Sequence, residues 1–152
     1  MGAWGFNTFE NDGALDWLDD FLDAPSEKKI LEAFSAETTY IQPSLMGRLM
    51  GKKPEKFTEE LEGDEVLAAG EVVATISGHP ANSNPEELKT IPKIHLAPDT
   101  TTRALAAIEA ILANSNLKDC WEESDDFERW KTTVEDLRER LELLPWSPAS
   151  RK

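Results

Sequence analysis

Between Asn11 and Asp23 the chain alternates apolar and acidic residues with a helical period. At about 100° per residue, Ala14, Leu15, Trp17, Leu18, Phe21 and Leu22 fall on one broad side of a helix. Asp12, Asp16, Asp19, Asp20 and Asp23 gather on the other. Asn11 or Asp12 stands where a side-chain oxygen caps the first turn. Asp20 and Asp23 near the C-terminus oppose the helix dipole, so this helix must draw its stability from its buried side.

The same reasoning continues along the chain. Pro25 and Ser26 start a second helix that turns Ile30, Leu31 and Phe34 inward. Ser35–Gln42 is ambiguous: Thr38, Thr39, Tyr40 and Ile41 favour a strand, but one short run has no evident partner and could also continue a helix after a break. Pro43–Met50 reads as a short helix stopped by Gly51, with Leu45, Met46, Leu49 and Met50 as its apolar side. Arg48, Lys52, Lys53 and Lys56 around it form the one notable basic patch. Asp64 is placed to cap a helix running to about Ser77 and closed by Gly78. Val66, Leu67, Ala69, Val72, Val73, Ala74 and Ile76 cover most of its circumference, the distribution of a central helix; Gly70 would let another helix come close.

His79–Pro98 contains four prolines and suits a structured connection with at most a helical turn near Glu86–Leu88. Asp99 offers the cap of a helix with Leu105, Ile108, Ile111 and Leu112 inward. Asn114-Ser115-Asn116 is a break before a short turn through Leu117, Cys120 and Trp121. Ser124 is placed to cap a last helix, whose Phe127, Trp130, Val134, Leu137, Leu141 and Leu144 form a seam at spacings of three and four. The expected fold is mainly α: about five or six helices around one core, with an ordered N-terminal arm carrying Trp4, Phe6 and Phe9 and a proline-rich connection. One domain over residues 1–145 and a short polar tail over 146–152 follow from it.

Composition sharpens this picture. The 152 residues hold thirty acids against sixteen bases, a net charge of -14, with 39% apolar residues. That charge disfavours nucleic acid and anionic membranes and permits a basic protein partner. No stretch approaches the roughly 18 uninterrupted apolar residues of a membrane span, and no basic, then apolar, leader opens the chain. A single cysteine, Cys120, forms no intrachain disulfide, which makes a reducing cytoplasm the simplest expectation. Beside Trp121 it reads as a small buried or half-buried side chain.

Candidate chemistry is sparse. Asp12 and Asp16 lie four residues apart and share a helix face, so they could hold a hard cation or divide acid and base roles. The competing and stronger reading has Asp12 at the helix start, Asp16 in solvent, and Glu122 and Glu123 at another helix. Glu10-Asn11-Asp12-Gly13 lacks the ligand register of a calcium loop. His79, His95 and Cys120 are too dispersed for a structural zinc site. Phosphate loops, dinucleotide loops and nucleophile elbows are absent, and no metal or cofactor is implied. Trp17 and Trp130 read as core. Trp4 and Trp121 either frame a pocket or fasten the arm to the core.

The opening GAWGFNTFENDGALDWLDDFLD, the central AAGEVVATISG and the late ILANSNLKDCWEESDDFERWKTTVEDLRERL resemble the DUF4259 family. Gly2, Trp4, Gly5, Phe9, Asn11, Asp12, Asp16 and Trp17 carry the opening likeness; Trp121, Glu122, Glu123 and Trp130 carry the late one. Gly13 and Cys120 depart from its pattern. The resemblance implies a compact bacterial domain and brings no catalytic residues with it. The leading expectation is an acidic interaction or regulatory module, with an immunity-like protein that neutralises a basic effector as one form of it. Asp16, Asp19, Asp20 and Asp23 would form its rim, with Asp12, Glu122 and an aromatic anchor from Trp4 or Trp121 nearby. The alternative is a small hydrolytic or metal-dependent enzyme using Asp12 or Asp16 with a loop histidine. Monomer or weak homodimer, the latter through the Phe127–Leu144 seam, completes the expectation.

Overall fold

The most apolar segment is the natural centre of the fold. In a computed structural model that describes residues 5–35, 38–41, 44–53, 55–58 and 61–143, it forms a helix over Gly63–Ile76, here α4. Val66 through Gly70 and Val72 through Ala74 are all buried. Helices α1 (Asp12–Asp23), α2 (Glu27–Ala33), α5 (Pro98–Ala113), α6 (Asn116–Glu122) and α7 (Phe127–Glu142) pack around it. Gly70 earns its place there: a side chain would begin 3.1 Å from Ile108 Cδ1 and from Leu137 Cδ2, so its absence lets α5 and α7 close on α4.

The fold is mainly α, with seven α-helices among the described residues where five or six were expected. The added ones are short. Leu117–Trp121, expected as a turn, is helix α6, because Ser115 accepts a hydrogen bond from Lys118 N at 3.0 Å and caps it. Cys120 on α6 is exposed rather than packed. The proline-rich connection holds a 3₁₀ turn over Glu86–Thr90, pinned by buried Leu88.

Thr38–Ile41 forms a strand, β1, paired antiparallel with β2 (Glu55–Thr58), Thr38 lying opposite Thr58 and Ile41 opposite Glu55. The partner strand was hidden in a four-residue charged run beyond Pro54. Between the strands stands α3 (Leu45–Leu49), capped by Ser44, whose hydroxyl accepts from Gly47 N at 3.2 Å. The side chains of the strand residues, Lys56 among them, lie outside the described set.

Of the two caps expected for α1, Asn11 serves: its Oδ1 accepts from Ala14 N at 2.7 Å. Other helix starts differ from expectation. Asp64 sits inside the first turn of α4, after Glu62. Asp126 rather than Ser124 precedes α7. The cap of α5 comes from a distant helix, since Glu27 Oε2 accepts from Ala97 N at 2.6 Å and from Thr100 Oγ1 at 2.8 Å. A carboxylate supplied across 70 residues thus replaces the local Asp99, and it ties α2 to α5.

The apolar faces go where their periodicity sends them. Ala14, Leu18, Phe21, Ile30, Ile108, Ile111, Trp130, Val134, Leu137 and Leu141 are buried together. The α7 seam is therefore covered within the chain by α4 and α5; Leu144 lies outside the described residues. The N-terminal arm docks through Phe9, which is buried, and Phe6, which is partly so. Among the described residues, no helix is long and apolar enough to cross a membrane. The tail over 146–152 lies outside the described residues.

Candidate functional site

The helical phase of α1 leaves Asp12, Asp16, Asp19, Asp20 and Asp23 exposed, as the alternating pattern requires. What the pattern cannot convey is where the start of α4 arrives. It packs beside α1, and the two elements flank a shallow, open groove of about 560 Å³. Gly13, Asp16, Trp17 and Asp20 line it from α1; Glu62 and Glu65 line it from the start of α4. Trp17 is half-buried and stacked on Phe21, with ring centroids 5.3 Å apart and planes 10° from parallel. Its indole is thus a fixed apolar wall among four carboxylates.

The acids at the start of α4 repel one another. Burial, then the charges of Glu62 and Asp20, hold Glu65 above the ordinary carboxylate range. Behind them Asp64 is pushed up to about 6 by burial, then by Glu62 and Glu65. Asp64 lies against the first turn of α1, where a side chain on Gly13 would begin 3.1 Å from Asp64 Oδ2. Lys29 offsets part of this charge: its Nζ is 3.4 Å from Asp20 Oδ2 and donates to the Asp20 carbonyl at 2.7 Å. Among the described residues, Asp16, Glu62 and Glu65 have no cationic partner within ion-pair distance. The groove is acidic, with an aromatic face beside it.

Of the expected site residues, the structure brings Asp16 and Asp20 together in the groove. Asp12, Asp19 and Asp23 are exposed on α1 outside its lining. Trp121 is buried and stacked on Trp130, centroids 6.2 Å apart, so it belongs to the seat under the arm. Asn7, Thr8 and Asn11 close over these rings and leave only about 10 Å³ between them. Glu122 is exposed on α6, 3.9 Å from Lys118 Nζ. Trp4 lies outside the described residues. Neither His79 nor His95 lines the groove, and among the described residues no three His, Cys, Asp or Glu side chains converge to hold a metal ion. Glu62, Glu65 and the exposed edge of Trp17 were missed. Their only signal was a cluster of acids just before the apolar run of α4, which also describes ordinary helix-start chemistry.

A second polar feature lies on the far side of α4. Glu71, 2% exposed, receives both Arg140 amino groups, Nη1 to Oε1 at 2.8 Å and Nη2 to Oε2 at 2.7 Å. Arg140 Nε donates to Asp136 Oδ2 at 2.8 Å and Nη1 to the His79 carbonyl at 3.0 Å. Burial works against the guanidinium charge, but Glu71 and then Asp136 more than offset it and hold Arg140 above its ordinary value. With its donors engaged this way, the cluster reads as a lock between α4 and α7. A concavity of about 490 Å³ in the proline-rich connection, with Leu88, Ile91, Lys89 and Lys93 in its lining, contains none of the expected site residues.

No curated protein and no solved structure matches the chain. A family model does: "Domain of unknown function (DUF4259)" matches residues 2–133, spanning the arm, the central helix and the acidic groove. The chain belongs to the DUF4259 family.

Proposed function

We propose that this chain is an acidic protein-interaction module, acting in the bacterial cytoplasm, whose α1/α4 groove receives a cationic segment of a partner protein. Neutralising a basic effector, in the manner of an immunity protein, is the role that suits it best. One observation carries the reading: Asp16, Asp20, Glu62 and Glu65 surround half-buried Trp17 in one groove. Asp16, Glu62 and Glu65 have no cationic partner among the described residues, and an arginine or lysine head would pair with them and stack on the indole. The same field repels nucleic acid. The lone Cys120 is in keeping with a reducing compartment.

A short fluorescein-labelled peptide carrying arginine and leucine serves as the probe, read by anisotropy at low and moderate salt. Asp16→Lys/Glu65→Lys is expected to weaken binding at least about tenfold, with the difference shrinking as salt screens the field. Glu109→Lys/Glu123→Lys makes the same change of net charge on exposed positions outside the groove and should preserve most of the affinity. Equal loss in both variants, or in neither, overturns the reading.

A further inference from the structure

The chain carries its own candidate for the groove. Leu45, Met46, Leu49 and Met50 on and just after α3 are between 68% and 77% exposed, an unusual concentration of bare aliphatic surface on so short a segment. Arg48, Lys52 and Lys53 accompany them, and no acid occurs between Ser44 and Lys53 in a chain whose net charge is -14. The β1–β2 ladder presents this segment as a loop-borne tip rather than as part of the bundle, because no helix of the bundle packs extensively on α3. It is apolar and cationic; the groove is aromatic and anionic.

We infer that two copies of this chain associate reciprocally, the α3 tip of each seating its aliphatic side chains and Arg48 in the other's α1/α4 groove. The inference rests on the groove being a receptor for cationic segments and names a second copy as an occupant. Charge selects this pairing over a tip-to-tip contact, which would set Arg48, Lys52 and Lys53 against their own kind. Although the two chains repel one another at long range, charges more than about 8 Å apart are largely screened at physiological salt, so contact is decided by the local surfaces. Reciprocal exchange also closes the assembly at two copies, since each tip and each groove is used once.

Sedimentation equilibrium of the full chain at low and moderate salt tests this, with four variants. Arg48→Glu/Lys52→Glu/Lys53→Glu should weaken dimerisation at least about tenfold, and Asp16→Lys/Asp20→Lys should do the same. Mixed together, these two variants should recover a one-to-one heterodimer, because each then supplies the charge the other lacks. Leu49→Ser/Met50→Ser keeps every charge and should also weaken the dimer, showing that the apolar contact is used. Lys89→Glu/Lys93→Glu/Lys131→Glu matches the tip reversal in net charge and should leave the dimer intact. A chain that stays monomeric up to about millimolar concentration, or a dimer indifferent to both reversals, overturns the inference. If the chain is monomeric while the arginine-leucine peptide still binds in the groove, self-association falls alone; if neither binds, the groove reading falls with it.

Discussion

Replacing Arg140 by methionine would leave the Glu71 carboxylate, 2% exposed, without the guanidinium that grips both its oxygens at 2.7 and 2.8 Å. A charge stranded in that position costs several kcal/mol, which the carboxylate escapes by taking up a proton. Protonating an ordinary carboxylic acid at pH 7 costs about 3–4 kcal/mol. Loss of the bond to the His79 carbonyl adds about 1 kcal/mol. The sum, about 4–5 kcal/mol, falls within the range for breaking a buried pair from one side. Because the protonation part shrinks by about 1.4 kcal/mol per pH unit, the cost at pH 5 should fall to about 1–2 kcal/mol. Removing both partners with Glu71→Leu/Arg140→Met leaves no stranded charge and should cost about 1 kcal/mol or less. Urea unfolding at pH 7 and pH 5, followed by circular dichroism, measures all of these; in thermal melts at pH 7 the single variant should unfold about 8–20 °C below the parent. The reasoning is refuted if Arg140→Met costs under about 1 kcal/mol at pH 7, if its cost does not fall at pH 5, or if the double variant is as damaged as the single one.

Asp64 provides a test of the opposite sign. Its folded value of about 6 lies above the ordinary 3.8, so between these pH values the folded chain holds a proton that the unfolded chain has released. Stability should therefore be greatest below about pH 4 for this group and decline as pH rises through 6, by about 1–2 kcal/mol after allowing for partial solvent access. Asp64→Asn should accordingly be about 1 kcal/mol more stable than the parent at pH 7.5 and equal to it near pH 3.5, in thermal melts; a loss at pH 7.5 contradicts this. Glu27→Ala should cost about 2 kcal/mol, as two hydrogen bonds to a carboxylate disappear, and should speed amide exchange at Ala97–Thr100. Unchanged exchange there would mean that α2 does not hold the start of α5.

The sequence discloses structure where burial follows a period and hides it where burial depends on a distant partner. The faces of α1, α4, α5 and α7 were legible because one side chain in three or four points inward, and Gly70 was legible as a close approach. The β1–β2 ladder was not: Thr38–Ile41 had strand character, but its partner is four residues long, begins with two charged residues and follows an intervening helix. Glu71 gave no sign of its partner, since a carboxylate on a helix says nothing of an arginine 69 residues later. The acid stripe of α1 was visible in full, yet only Asp16 and Asp20 enter the groove. The rest of that site comes from Glu62 and Glu65, which local chemistry reads as a helix start. Trp17 and Trp121 show the same limit in reverse. Trp17 sits on an apolar helix face and Trp121 in an acidic stretch, and only packing decides that Trp121 is sealed under the arm while Trp17 keeps an edge in the groove.

Two-dimensional ¹H–¹⁵N NMR during titration with the arginine-leucine peptide tests the central claim most directly. The Trp17 indole resonance and the amides of residues 13–20 and 62–66 should move together and saturate with one affinity, leaving the buried Trp121 and Trp130 indoles in place. Shifts centred instead on Lys89–Lys93, or spread evenly over every acidic surface, would contradict the assignment of the α1/α4 groove as the receptor for positive charge.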